Sequence, residues 1–457
     1  MFDLTVIGAG PAGYVAALYA VRKGLRVALV EKSMVGGVCV NAGCIPSKAL
    51  IASVETLDRI QRAAEFGIEV AGTIRPHLPA IMSRKEKIVD GVRRGVETLI
   101  NTSKIALISG EARVVASNKV SIGNQVLESQ HILLAMGSVP ATLSGFPFSG
   151  KRVLSTDHVL ALREIPRHLL VLGSGPAGLE MAFFYAQLGS QVTVVELLPR
   201  ALPMEDESIS KLIEREMKKR RIAFLPNVQS DGVEEEVDKV RLHLLEGKAL
   251  EGDYLFVSVG RAICSRGIGL EELGVNMASK GEILVDKYMR TSADGIYAAG
   301  DVIGGLMLAH VASAEGKAAV DCILGNPSQI RYESIPWGIF TVPEIGRVGL
   351  TEKEARERYH DVRVGRFPYR ALGKAMAIGE TSGEAKIVTL SSGEILGAHI
   401  IGFSASDLVQ EISVLMQSGV RLDDLAHTVF AHPTLSEVLK EALEDLEGLS
   451  LHQLPKS

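Results

Sequence analysis

One short pattern, present twice, constrains this chain more than anything else in it. "TVIGAGPAG" at 5–13 ends an apolar run on Gly8, Gly10 and Gly13, and "LVLGSGPAG" at 170–178 does the same on Gly173, Gly175 and Gly178. An Ala-rich helical stretch follows each copy, then a strand closing on an acid: "LRVALVE" at Glu31 and "SQVTVVE" at Glu196. The offset is 165 residues at every glycine and at both acids. The first glycine permits a tight strand-to-helix turn, the second lets backbone approach a pyrophosphate, and the third lets helix and strand pack closely. A phosphate then sits on the helix N-terminus, favoured by unpaired N–H groups and the helix dipole. The acid, 18 residues beyond the third glycine, can accept hydrogen bonds from ribose hydroxyls. Glycine-rich turns also serve plain packing, but strand, helix and acid together point to two dinucleotide sites.

Glu196 would repel a 2′-phosphate, so the second site is expected to prefer NAD to NADP; Arg200, four residues on in "ELLPR", is the opposing signal. The first site is expected to hold FAD. "TSADGIYAAGD" supports this, since Asp301 at a strand end can bind the hydroxyls of a ribityl chain. Read alone, Asp301 is equally a turn residue capping the helix that follows.

Composition narrows the class. The 457 residues suffice for about three domains. A net charge of −5 gives no reason to expect nucleic acid or an anionic membrane as partner. The start, "MFDLTVIGAGPAG", has no basic leader, and no run of 18 uncharged apolar residues occurs, so no membrane span is expected. The chain reads as cytoplasmic, and a processed organellar form would read the same.

Four cysteines are too few for a disulfide scaffold. Two of them, Cys39 and Cys44, lie together in "GGVCVNAGCIPSK". An ideal helix would hold residues five apart roughly 8–9 Å from one another at Cα, beyond disulfide reach. If the two bond, the segment is distorted, and Asn41 and Gly43 tolerate distortion; a regular helix then suits Pro46 at its start. A zinc site would need further ligands, a structural bridge this short would add little stability, and two unrelated buried thiols remain an alternative. Redox catalysis fits best, because a strained, accessible disulfide is the reducible kind.

With these pieces in place, the chain resembles the pyridine nucleotide–disulfide oxidoreductases over nearly its whole length. Within that family "GPAGYVAA" at 10–17, "IPSKAL" at 45–50, "LMLAHVASAEG" at 306–316 and "HPTLSE" at 432–437 are similar to the branch that oxidises dihydrolipoamide. The resemblance implies FAD and NAD as cofactors and no metal. It makes Cys39 the interchange thiol and Cys44 the thiol facing the flavin. It pairs Lys48 with Glu180 beside the flavin, places Gly137 and Gly260 against the cofactors, and makes His432 the base oriented by Glu437. Alone, Lys48 reads as a solvated lysine and Glu180 as a first-turn acid. "TLSE" at 434–437 likewise reads alone as a capping box, Thr434 at N-cap and Glu437 at N3. Val38, Met136 and Phe430 stand where the family usually has threonine, the middle of "ATG" and a second histidine; no redox group is lost.

The expected fold is α/β, with two Rossmann-like domains and a C-terminal α+β dimerisation domain. Residues 1–140 and 262–334 would bind FAD, 141–261 NAD, and 335–457 would form the dimer interface. The resemblance implies a homodimer whose partner histidine completes each site. Its partners would be lipoyl domains of a 2-oxo acid dehydrogenase complex or of the glycine-cleavage system. Two rival readings are a reductase of another disulfide on the same scaffold and a non-catalytic flavin- and NAD-binding regulator.

Overall fold

The computed structural model describes residues 1–245, 247–425 and 428–453. The chain divides into two compact units, Met1–Leu50 with Pro79–Thr142 and Val259–Ile330, and Ile51–Leu78 with Leu143–Ser258 and Arg331–Ser457.

The first unit is built on a seven-stranded sheet. Phe2–Ile7 lies between Val27–Glu31 and Gln125–Leu134, parallel to both, and Ile296–Ala298 joins the far side of Gln125–Leu134, also parallel. Leu4, Val6, Leu29 and Leu133 are fully buried, as the near-continuous apolar runs of a covered parallel sheet require. The meander expected from "ARVVA" to "HILLAMG" is antiparallel, Ala112–Ala116 to Lys119–Ile122 to Gln125–Leu134. Helices Pro11–Arg22 and Ala309–Ile323 pack against each other so closely that a Cβ on Gly316 would come 2.5 Å from the Ala12 carbonyl oxygen.

The second unit contains two larger sheets. One is parallel, in the order Ile222–Leu225, Gln191–Val195, His168–Leu172, Tyr254–Val257, Val153–Leu154. The other is antiparallel, in the order Pro336–Ile339, Glu344–Gly349, Ile395–Gly402, Glu384–Leu390, Val362–Pro368. Helices Ala405–Ser418 and Glu437–Leu446 cover it; backbone contact is so close that a Cβ on Gly346 would meet the Ala405 oxygen at 2.2 Å, and one on Gly365 the Ala442 oxygen at 2.0 Å. Inside this unit Lys386, 2% exposed, holds both carboxylate oxygens of Asp206 at 2.8 Å. Removing one partner of such a buried pair costs about 3–5 kcal/mol, because the other charge stays buried.

Among the described residues a single helical stretch, Gly37–Gln61, is long and apolar enough to cross a membrane by length and composition. It carries Lys48, Glu55, Asp58 and Arg59. It breaks at Gly43 (φ −147°, ψ −109°), and 39% of its most apolar window is buried inside the protein.

The two glycine loops share their backbone turn. Gly8 and Gly173 have φ of +99° and +101°, and each donates its N–H to the next strand, to Val30 and Val195, at 2.8 Å. A Cβ on Gly13 would lie 1.8 Å from the Gly8 oxygen, and one on Gly178 2.2 Å from the Gly173 oxygen, whereas one on Gly175 would meet nothing within 4 Å. Gly178→Ala should therefore cost about 1–3 kcal/mol in thermal unfolding through overpacking. Gly175→Ala, at an ordinary φ of −69°, should stay within about 0.5 kcal/mol of wild type; equal losses would contradict this reading.

Candidate active site

The thiol segment is positioned by the first glycine loop. Gly36 and Gly37 adopt φ of +91° and +56°, and a Cβ on Gly37 would come 2.7 Å from the Gly10 Cα. Gly36 also donates its N–H to the Ala9 oxygen at 2.8 Å. Asn41 then pins the short helix Gly37–Ala42 by donating to the Val35 and Gly37 oxygens, both at 2.9 Å. After the break at Gly43 the next helix starts at Cys44, two residues before the expected Pro46. The distortion the spacing demands is thus present, and it falls on the expected glycine.

Cys39 is half-buried and Cys44 is exposed. Hydrogen bonding to the Cys44 thiol, followed by burial, pushes Cys39 well above the ordinary thiol value; the charge of Lys48 opposes this. Cys39, Cys44 and Lys48 are therefore brought together, and Lys48 is half-buried rather than a free surface lysine. Tyr14, on the helix behind the loop, has its phenol raised by burial and by Cys39. No His, Asp or Glu joins the thiols in a group able to hold a metal ion among the described residues.

Asp301 opens a one-turn helix, Asp301–Ile303, and makes no cap; Gly300 is the N-cap. Its carboxylate instead accepts a short hydrogen bond from Ser138 Oγ and faces Arg261 Nε at 3.5 Å. Arg261 also donates to the Ser138 hydroxyl and carbonyl at 2.6 and 2.8 Å. Gly137 and Gly260 flank this cluster at φ of +70° and +115°, accepting from Cys264 N and Ala141 N. Met136 packs on the sheet core. Ser138, Arg261 and Tyr14 escaped the sequence reading, and Asn41 entered it only as a residue that tolerates distortion: each acts through a contact no spacing announces.

The acids close the loops identically. Glu31 accepts Ala9 N–H at 2.7 Å and Ser33 N–H at 2.8 Å; Glu196 accepts Ser174 N–H and Leu198 N–H, both at 2.8 Å. Neither Gly10 nor Gly175 is accompanied by a side-chain cap, so the first-turn N–H groups are left for an anion. Uncapped turns, glycine-lined cradles and an acid beside each fit two dinucleotides. Arg200 does not face Glu196 in an ion pair; its Nη2 donates to the Pro203 and Glu205 oxygens at 2.8 and 3.0 Å.

In the second unit Glu180 is buried on helix Pro176–Gln187 and accepts Phe340 N–H at 3.1 Å. It lines a small cavity with Ile51, Val54, Phe183 and Phe340. Lys48 belongs to the first unit and Glu180 to the second. His432 is exposed, and its Nδ1 lies 2.9 Å from Glu437 Oε1. Glu437 Oε2 accepts Thr434 N–H at 2.8 Å. The full capping box is not formed: the helix begins at Glu437 with Ser436 as N-cap, because Thr434 Oγ1 turns back to the Ala431 oxygen. One carboxylate thus serves both imidazole and backbone, an oxygen for each.

Residues 2–316 match the family model described as pyridine nucleotide-disulphide oxidoreductase, and 335–443 match that family's dimerisation domain. The chain is a pyridine nucleotide–disulfide oxidoreductase. Among curated members it is 40% identical to the dihydrolipoyl dehydrogenase of Chlamydia muridarum, across 99% of this chain and 98% of that protein. It is 38% identical to that of Bacillus subtilis, across 98% and 97%. Among solved oxidoreductase structures it is similar to LpdA of Mycobacterium tuberculosis (TM-score 0.91, 30% identity, 97% of this chain and 99% of that one). It is also similar to the HOCl-induced flavoprotein disulfide reductase RclA of Escherichia coli (TM-score 0.87, 27% identity, 97% and 99%).

Burial pushes the Glu437 carboxyl up, but the Thr434 N–H and His432 outweigh it and hold it below the ordinary value. Its contribution to stability is then complete above the ordinary carboxylate pKa and lost as pH falls through the depressed one. Denaturant unfolding between about pH 6 and pH 3 should show wild type losing stability on the acid side, and Glu437→Gln should flatten that part of the profile. Identical slopes would contradict the hydrogen-bond assignment.

Proposed function

We propose that this oxidoreductase oxidises dihydrolipoamide, the dithiol borne by a lipoyl protein, with NAD⁺ as final acceptor, through a Cys39–Cys44 disulfide. The observation that carries the reading is the seating of the thiol pair on the first dinucleotide loop. Full-length likeness to dihydrolipoyl dehydrogenases supports it. A substrate thiolate attacks Cys39 Sγ, the Cys39–Cys44 bond breaks, and Cys44 leaves as the thiolate. The second substrate thiol then displaces Cys39, giving the substrate disulfide and the enzyme dithiol. Two protons must leave the substrate thiols: His432 takes the first and passes it to Cys39 as that sulfur is displaced, then holds the second, with Glu437 fixing its Nδ1 tautomer so that Nε2 faces the reaction.

FAD, held by Gly8, Gly10, Gly13, Glu31, Gly137 and Asp301, supplies the two-electron chemistry linking the dithiol to NAD⁺. NAD is held by Gly173, Gly175, Gly178, Glu196 and Gly260. Lys48 and Glu180 would take the flavin-side roles that the family resemblance gives them. Residues 1–140 and 262–334 form the FAD domain, 141–261 the NAD domain and 335–457 the dimer interface. In the homodimer the partner subunit's His432 serves each thiol pair. Lipoyl domains of a 2-oxo acid dehydrogenase complex or the glycine-cleavage system deliver the substrate. A thiol cycle without a disulfide scaffold suits a reducing compartment, and the cytoplasm is the proposed one.

Turnover of the purified holoenzyme tests this. NADH should form from dihydrolipoamide and NAD⁺, and His432→Gln should cut that rate by roughly 10²–10⁴ while sparing NADH-driven reduction of a small electron acceptor. Holoenzyme that ignores dihydrolipoamide but reduces another disulfide with NADH would retain the family and overturn the substrate.

A further inference from the structure

The segment between strand Gln191–Val195 and helix Glu207–Lys219 carries both sides of the NAD/NADP question, Glu196 and Arg200. It is fastened at each end. Toward the glycine loop, Leu202 donates its N–H to the Ser174 oxygen at 3.2 Å and is buried at a positive φ of 47°. Toward the antiparallel sheet, Trp337 Nε1–H donates to Glu205 Oε1 at 2.9 Å, and Arg347 donates to the Met204 oxygen. Arg347 lies over the Trp337 ring, 4.4 Å from its centroid. Glu205 is 4% exposed and Arg347 7% exposed, so these contacts form away from water. Asp206, next in line, is clamped by Lys386. Between the two fastenings Arg200 is folded inward, its Nη2 shared by the Pro203 and Glu205 oxygens.

We propose that Glu205, Trp337 and Arg347 are specificity-positioning residues: by fastening this loop to the antiparallel sheet they keep Arg200 on its own carbonyls and away from a 2′-phosphate. Discrimination against NADP then has two layers. Glu196 repels the phosphate, and the fastening withholds the one nearby cation on this loop that would attract it. Neither Trp337 nor Arg347 touches the dinucleotide loop; both act through the loop's shape. The inference deepens the NAD-linked reading and rests on it for the site's occupant.

The test is equilibrium binding to the holoenzyme, by calorimetry, of ADP-ribose and of its 2′-phosphate, two fragments that need no turnover. A failure to oxidise dihydrolipoamide is thereby kept separate from a failure of this inference. Glu196→Ser alone should tighten binding of the 2′-phosphate by less than about threefold, since Arg200 stays engaged. Adding either Glu205→Ala or the milder Trp337→Phe should raise the gain to about tenfold or more, the scale of one charge-assisted phosphate contact. Adding Arg200→Met should abolish that extra gain. ADP-ribose affinity should fall once, with Glu196→Ser, because a ribose acceptor is lost, and then stay within about twofold of that single variant when the other substitutions are added, which a general loosening of the fold would not allow. The proposal is overturned if Glu196→Ser alone gives the full gain, or if releasing the loop adds nothing to it.

Discussion

The contact on which the site depends is backbone against backbone: Gly37 lying on Gly10, so close that a Cβ would come within 2.7 Å. Gly10 is the middle glycine of the first loop and the N-cap of the helix Pro11–Arg22. Gly37 begins the turn of helix that carries Cys39. Position 37 must be glycine, because a methyl there would clash with main chain that has no rotamer to escape into, whereas one on Gly10 would meet the Gly37 Cα at an ordinary 3.9 Å. The thiols are consequently placed relative to the phosphate site by main-chain geometry, which side-chain motion cannot blur. A disulfide that must exchange electrons with a bound ring needs that kind of placement, since small displacements of reacting groups are costly.

The second unit solves a different problem with different means. Its buried charges, Asp206, Lys386, Glu205 and Arg347, sit where a loop meets an antiparallel sheet. Apolar packing alone would hold these parts together at least as well, so the ionic contacts are better understood as fixing one arrangement of the loop. His432 and Glu437 follow the same economy on a smaller scale. One carboxylate orients the imidazole and starts the helix, so His432 and the helix Glu437–Leu446 are fixed together.

Much of this was legible in the sequence, and the limits are physical. The glycine repeat announced both parallel sheets, because loop, helix and acid are local in sequence and their spacing is dictated by one chemistry. The apolar runs and the meander followed from strand periodicity. Asp301 could not be decided, because a carboxylate after a glycine reads the same whether it caps a helix or meets Ser138 and Arg261, residues 163 and 40 positions away in sequence. Arg200 stood only as an opposing signal for the same reason: its partners are backbone carbonyls, which leave no mark on composition. At "TLSE" the local rule was half right, and a long-established motif gave way to a hydroxyl that found a nearer carbonyl.

The central claim is that Cys39 and Cys44 form the element that takes two electrons from a dithiol and gives them up to NAD⁺. Anaerobic holoenzyme should be quenched with a thiol-alkylating reagent before substrate, after dihydrolipoamide, and after subsequent NAD⁺, with each cysteine read by mass spectrometry. The account predicts Cys39 and Cys44 protected at first, both alkylated after dihydrolipoamide, and both protected again after NAD⁺. Alkylation of either cysteine that does not change across the three states would contradict it.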